Sequence, residues 1–375
     1  MRRWGRRVAI GAGIVFVLGT VVGAWAVSEM VLHIDYSDAE PYRLRVLAVS
    51  ADTITLTDSS ALGRFRLEWP GGAGHVGTIL ARSSQGVRRA LLDVEGAPPR
   101  PGTRARFGPD YRGDPGSALG LGFDDVEIPG PRGRLPVWVV PGSRPTWVLL
   151  IHGYGGTRQS ELYAVPAIHA AGFGAMVVAY RNDPGAGRAP HGFTHLGQTE
   201  WRDVDAEVAW ALAHGARDVV LDGASMGGAI ALEEARHGSH RGAIRGVVLD
   251  APALDFGQDI HYGARDRGAS GPLGWWVITT GEWAMRMRAG IDFGDLDEIA
   301  HARELRLPIL LFQGDRDRAA PVSGADAFAR ARPDLVTYVR VRGAVHVGSW
   351  NVDRARYETA LTGFLERVAR GGAAG

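Results

Sequence analysis

The sequence predicts an α/β protein: a mostly parallel central sheet with helices on both faces and a cap insert. A transmembrane helix and a small all-β module precede it. Three observations carry this expectation. From about residue 123 to 375, short apolar runs alternate with amphipathic stretches of helical length. Between residues 35 and 110 the pattern has a period of two and shows no helical stretch. Ahead of both, an uncharged run over residues 8–28 is long enough, as a helix, to cross a bilayer core of about 30 Å.

Composition bounds the function. The chain has 375 residues, 22% charged and 45% hydrophobic, which is ample for a packed core and about two domains. The formal net charge is +1, and no basic tract lies beyond residue 7, which argues against nucleic acid as a partner. All the cationic Lys/Arg positions are arginine, a feature that carries no mechanism. There is no cysteine, so thiol catalysis, disulfides and cysteine-ligated zinc are excluded.

In chain order, residues 1–7 contain Arg2, Arg3, Arg6 and Arg7 and form a basic end expected to stay in the cytoplasm. The apolar run 8–28 then reads as an uncleaved signal-anchor, a single pass that puts the rest of the chain outside the cytoplasm. The competing reading is a signal peptide cleaved after Ala24-Trp25-Ala26, giving a secreted protein. The anchor is favoured because the run is longer than a usual signal core and Met30-Val31-Leu32 continues it. Residues 42–49, 53–57, 65–69, 76–81, 87–94 and 103–107 alternate apolar with polar side chains and read as five or six strands of a small barrel or sandwich. Within them, Gly72-x-Gly74-x-x-Gly77 has the letters of a dinucleotide fingerprint. Trp69-Pro70 precedes it and another strand-like run follows, so it lacks the strand-to-helix context that chemistry needs. A glycine-rich hairpin is expected there, and no cofactor. Residues 113–122 read as a boundary loop.

The alternating region reads as strands at 125–128, 135–140, 146–151, 175–180, 218–222, 244–249, 307–312 and 336–341. Helices are expected over 159–171, 198–214, 226–237, 324–331 and 353–369. In such sheets ligands sit beyond the carboxyl ends of the strands, so chemistry-bearing residues are sought just after each one. Gly223-Ala224-Ser225-Met226-Gly227-Gly228 follows the strand at 218–222 and opens a helix, the context of a nucleophile elbow. Ser225 is the candidate nucleophile. His152-Gly153-Tyr154-Gly155-Gly156 follows another strand, and the Tyr154 and Met226 N–H groups are the candidate oxyanion donors. His152 itself is expected to brace its loop. In Gly314-Asp315-Arg316-Asp317-Arg318-Ala319-Ala320-Pro321 the spacing selects Asp317 as the acid that orients a histidine, with Asp315 bracing the turn. His346, before the last helix, is the candidate general base. A serine hydroxyl becomes nucleophilic when an imidazole takes its proton, and a carboxylate fixes that imidazole's tautomer.

On these residues the chain from about 123 onward resembles the α/β-hydrolase superfamily, over about two-thirds of its length. It is most similar to the membrane-anchored serine hydrolases of the Bem46 and serine-aminopeptidase-like group. The resemblance implies hydrolysis through an acyl-enzyme. The superfamily includes esterases, lipases, peptidases, thioesterases and dehalogenases, so it leaves the substrate open.

The insert over residues 255–305 lies where such enzymes carry a cap. Its Trp275 and Trp276 are expected either to line an apolar substrate pocket or to pack the cap onto the body. His191-x-x-x-His195 has metal spacing, but prolines and glycines surround it and no third ligand is near, so no metal is expected. The leading reading is therefore a membrane-tethered serine esterase acting on a small-molecule ester. A peptidase or amidase acting on a short peptide is the second. A non-catalytic scaffold on a hydrolase fold is the third, disfavoured by the complete set of candidate residues.

Overall fold

Two separate sheets divide the chain. The first contains β1 (Leu44–Val49), β2 (Thr53–Leu56), β3 (Phe65–Trp69), β4 (Gly72–Arg82), β5 (Val87–Leu91), β6 (Glu95–Gly96) and β7 (Arg104–Gly108). Its order is β3-β7-β1-β2-β5-β4-β6, and an added β3–β4 pairing closes it into an antiparallel barrel. The alternating apolar residues fill it: Val46, Ile54, Leu56, Leu67, Trp69 and Val76 are buried together. The Gly72-x-Gly74-x-x-Gly77 letters lie inside β4, where they serve close packing of strands. A Cβ on Gly72 would come within 2.5 Å of the Ala97 carbonyl, and one on Gly74 would strike the Asp93 carbonyl.

The second sheet contains β8 (Asp124–Gly130), β9 (Gly133–Val140), β10 (Thr146–Ile151), β11 (Gly174–Val177), β12 (Asp218–Ala224), β13 (Ile244–Asp250), β14 (Ile309–Gly314) and β15 (Val336–Val341). The order is β15-β14-β13-β12-β10-β11-β9-β8. Strands β10 to β15 run parallel, and β8 and β9 form an antiparallel edge. Period two explains why the parallel strands are apolar throughout: Leu149 and Ile151 enter one core, Val148 and Leu150 the core on the opposite face.

The helices are α1 (Arg2–Leu32), α2 (Pro115–Leu119), α3 (Val165–Ala170), α4 (Trp201–Ala213), α5 (Met226–His237), α6 (Phe256–Asp266), α7 (Gly271–Ala289), α8 (Glu298–His301), α9 (Val322–Ala331), α10 (Ser349–Val352) and α11 (Arg354–Ala369). The expected helix over 159–171 is broken. A 3-10 turn, Arg158–Glu161, is followed by α3, which carries Pro166 in its first turn, where its missing N–H has no intrahelical role. The cap comprises α6, α7 and α8.

This computed structural model describes residues 2–36, 42–57, 61–266 and 268–371, with the side chains of 2–10 and 12–16 left aside. Among the described residues no helix is long and apolar enough to cross a membrane. Much of the expected span, residues 8–10 and 12–16, has side chains outside the described set. The expected transmembrane span over 8–28 is therefore corrected: no membrane-length apolar helix is found there among the described residues, and its second half packs along α7. Arg288 of α7 bonds Ser28 and Glu29 at 2.5 Å each, and Gly281 lets the Val27 side chain approach the α7 backbone. Apolar side chains of the pair stay exposed: Val17, Leu18, Val21, Val22 and Trp25 on α1, and Leu273, Trp275, Trp283 and Met287 on α7.

The barrel docks beside the carboxyl ends of the parallel strands. Asn351 of α10 donates from Nδ2 to the Arg64 carbonyl at 2.8 Å and to Asp110 at 2.7 Å, and Val345 packs against the barrel core.

Candidate active site

Ser225 sits between β12 and α5 with φ 53° and ψ −119°, a conformation costing about 1–3 kcal/mol for a residue with a side chain. Its surroundings force that geometry. A Cβ on Gly223 would strike the Gly227 carbonyl, one on Gly227 would strike the Ile151 carbonyl, and one on Gly228 would come within 2.8 Å of Pro252. The Ser225 N–H donates to the Asp250 carbonyl on the neighbouring strand at 2.9 Å, which pins the turn to the sheet.

Three strands deliver the partners. His346 Nε2 is 2.9 Å from Ser225 Oγ, and His346 Nδ1 is 2.9 Å from Asp317 Oδ2. Asp317 is buried, and its oxygens find further donors. Oδ1 accepts from the Ala319 and Ala320 N–H groups at 2.8 and 2.9 Å, and Oδ2 accepts from Gln313 Nε2 at 3.0 Å. Asp315 accepts from the Gly343 N–H at 2.6 Å and so ties its loop to the one that carries His346. With both ring nitrogens of His346 engaged in this way, the imidazole can take a proton from Ser225 while Asp317 holds its far side.

Gly153 lies against Ser225: a Cβ there would come within 2.9 Å of the serine Cβ. The 152–156 loop and the amino end of α5 therefore flank the hydroxyl. Among the described residues neither the Tyr154 nor the Met226 N–H has an acceptor. Behind the loop, His152 is fully buried. Its Nε2 lies 2.7 Å from Asp183 Oδ2, and its Nδ1 lies 2.9 Å from the Gly153 carbonyl. Burial pulls the His152 pKa down, but the charge and hydrogen bond of Asp183 outweigh it, and the net direction is upward.

The two cap tryptophans part company. Trp275 lines a cavity of about 400 Å³ between α6 and α7, together with His261, Arg265 and Ile278. Trp276 points its indole N–H at Thr20 of α1, 3.3 Å away, so it belongs to the α1–α7 seam. Trp276 thus packs onto α1, and Trp275 lines a cavity within the cap itself. From the cap, Tyr262 reaches the candidate triad: its hydroxyl donates to the Asp317 carbonyl at 3.2 Å. Among the described residues one group has ligating types close together, His75, Asp93 and Glu95 in the barrel. Its carboxylates are already engaged by His75 and Arg66.

Sequence reasoning missed Asp183, Gln313, Tyr262 and a set of buried acids under the elbow. Asp222 on β12 and Asp250 on β13 are fully buried, as is Glu161. Burial, reinforced by the charge of Asp250, pushes Asp222 up to about 8; burial pushes Asp250 up to about 7, and Glu161 is raised by burial as well. Asp183 had a faint signal, since a buried histidine beside the serine needs a carboxylate and Asp183 follows the end of a core strand.

Residues 148–373 match the alpha/beta hydrolase family, and residues 45–108 match a domain of unknown function (DUF8805). No curated protein matches the chain. Among solved structures, the esterase Pf2001 of Pyrococcus furiosus aligns with a TM-score of 0.55 at 19% identity, over 69% of this chain and 99% of that one. A second crystal form of it gives 0.54 at 20% identity, over 68% and 94%. The esterase RhEst1 from a Rhodococcus species gives 0.49 at 20%, over 65% and 99%. At such identities the Pyrococcus structures speak for the fold, and the family match covers more than half of the chain. The protein belongs to the alpha/beta hydrolase family and is an enzyme of the hydrolase type.

Proposed function

We propose that the protein is a serine esterase that cleaves carboxylic esters through an acyl-enzyme. The observation that carries the proposal is the Ser225–His346–Asp317 chain, with both hydrogen bonds at 2.9 Å. In this reading His346 takes the Ser225 proton as Oγ attacks the ester carbonyl. The Tyr154 and Met226 N–H groups receive the developing oxyanion, and His346 returns the proton to the departing alcohol. Water then enters by the same route and releases the acid. The esterase structures of similar fold agree with this reading.

We place the enzyme at the outer face of the cytoplasmic membrane, held by α1, as in the membrane-anchored group it resembles. The support is the arginine-led apolar run of α1 and the exposed apolar faces of α1 and α7. Lipophilic esters would then reach the site from the bilayer side.

One observation favours a second reading, an amidase or aminopeptidase. Asp255, Asp259 and Glu282 cluster on the cap near Asp317. Burial, with the charges of Asp255 and Asp317, pushes Asp259 up to about 8. His261 already pairs with Glu282 at 3.3 Å, and a substrate ammonium group would supply a partner for the buried Asp259 oxygen, which has none among the described residues. Of the nearby acids, Asp297 caps α8 and Glu298 is buried beside Arg236.

The test is turnover of p-nitrophenyl esters of increasing chain length and of aminoacyl p-nitroanilides by the full chain, beside Ser225→Ala. Ester cleavage that falls by about 10⁴–10⁶ in kcat in the variant is the expected result. Serine-dependent cleavage of the anilides alone would replace the esterase reading with the second. No serine-dependent turnover of either would leave a scaffold.

A further inference from the structure

A segment outside the matched hydrolase region, residues 30–36, lies behind the candidate oxyanion loop and is bonded to it at Tyr154 and to the neighbouring loop at Asp183. On one side, the Tyr154 hydroxyl donates to the carbonyls of Met30 and Val31, at 3.1 and 3.0 Å. On the other, the Tyr36 hydroxyl donates to Asp183 Oδ1 at 2.7 Å. Between them the Thr194 N–H donates to the Leu32 carbonyl at 2.8 Å. Leu32 is fully buried in the main core, and the His33 ring packs edge-on against Phe193 with centroids 4.9 Å apart.

The second latch leads to the chemistry in four bonded steps. Tyr36 holds one oxygen of Asp183. The other oxygen holds His152 Nε2 at 2.7 Å. His152 Nδ1 meets the Gly153 carbonyl at 2.9 Å, and that carbonyl belongs to the same peptide unit as the Tyr154 N–H. The carbonyl also accepts from the Gly156 N–H at 3.0 Å and the Tyr180 hydroxyl at 3.1 Å, so three donors fix the plane of the peptide. Loading a carbonyl with donors both orients the peptide and polarises the N–H at its other end, and low dielectric strengthens the chain. Burial and the Asp183 charge hold the Tyr36 phenol well above its usual range, so it stays a donor.

We propose that residues 30–36 form a strap that positions the oxyanion hole, with Tyr36 acting through Asp183 and His152 on the Gly153–Tyr154 peptide. Tyr36 is a positioning residue: it touches no reacting atom. The proposal rests on the reading of the Tyr154 N–H as an oxyanion donor. Nothing in the strap belongs to the hydrolase fold itself, so this chain has recruited its own amino-terminal segment to complete the site.

The experiment uses the full-length protein, Tyr36→Phe and Tyr154→Phe. Each substitution removes a hydroxyl and keeps the ring and the backbone. Three quantities are measured on one p-nitrophenyl ester: kcat, KM, and inhibition by a trifluoromethyl ketone, which binds serine as an oxyanion and so reports on the hole. Losing one hydrogen bond to a buried charged network is expected to lower Tyr36→Phe kcat by about tenfold and weaken the ketone by a similar factor. KM should stay within twofold and the melting temperature within about 3 °C. Tyr154→Phe should show the same split. Unchanged kcat and unchanged ketone affinity in both variants would overturn the strap. So would a joint loss of kcat, KM and thermal stability, which marks ordinary packing. The wild-type and Ser225→Ala rates are read in parallel, so failure of the esterase reading shows as an inactive wild type.

Discussion

Asp317 and Asp222 are the same residue type, buried to a similar degree a few strands apart, and their surroundings set them opposite tasks. Asp317 is met by two backbone N–H groups, the Gln313 amide and His346. Asp222 has an oxygen with no partner among the described residues and the acidic Asp250 beside it, so burial dominates and lifts its pKa to about 8. The folded state then keeps a proton that the unfolded chain releases above about 4. Stability tied to this group is full below that pH and is lost as pH rises towards 8, with a ceiling of about 1.4 kcal/mol per pH unit. Asp222→Asn carries no such charge. We expect the wild-type melting temperature to fall between pH 5 and pH 9 more steeply than that of the variant, with the variant the more stable at pH 9. Parallel curves would show that Asp222 is charged in the fold. No motif marks Asp222 in the sequence, where it reads as one more residue before the elbow. Its protonation follows from what surrounds it.

The elbow is an element whose sequence and geometry can be matched residue by residue. Gly223, Gly227 and Gly228 recur within a few positions because α5 must leave β12 at once, and each glycine faces a neighbour where a Cβ would collide. Gly227 is the tightest, since its collision is with the Ile151 carbonyl and, at 2.7 Å, the His152 carbonyl. Those two residues lead into the candidate oxyanion loop. Gly227→Ala should lower the melting temperature by about 3–10 °C, the cost of overpacking by one methyl in a chain of this size. It should also reduce ester turnover by at least about a hundredfold by displacing that loop. A variant with wild-type kcat would mean that the loop moves without consequence. Elements made by local rules were legible in this way: strand ends, glycine turns and the two periods. The helix expected over 159–171 was misread because apolar spacing extends across a break that Pro166 and the 3-10 turn impose.

Across the whole molecule, the amino-terminal additions touch both sides of the candidate site. Residues 30–36 bond to the candidate oxyanion loop, and the barrel packs against Val345, next to His346. The strap also continues directly from α1, whose outer face joins that of α7 in an exposed apolar surface. Full-length protein is therefore expected to float with vesicles containing anionic lipid. Trp25→Glu with Trp283→Glu should weaken that partition by at least about tenfold without altering hydrolysis of a short soluble ester. Wild-type protein that stays in the soluble fraction would defeat the membrane placement. Read alone, the apolar run of α1 was a segment seeking lipid. Only the fold revealed that one of its faces seals onto α7 and that Trp276 turns into that seam. By itself the sequence determined the two periods, the α/β hydrolase class and the candidate residues at the ends of strands, because strand, turn and elbow chemistry act over a few consecutive positions. The tertiary structure decided what stands behind those residues. Tyr36 meets Asp183 across 147 positions, and Arg288 meets Glu29 across 259. Contacts at such separation leave no periodicity or spacing to read, since they arise from which surfaces remain to be buried once the local elements have formed.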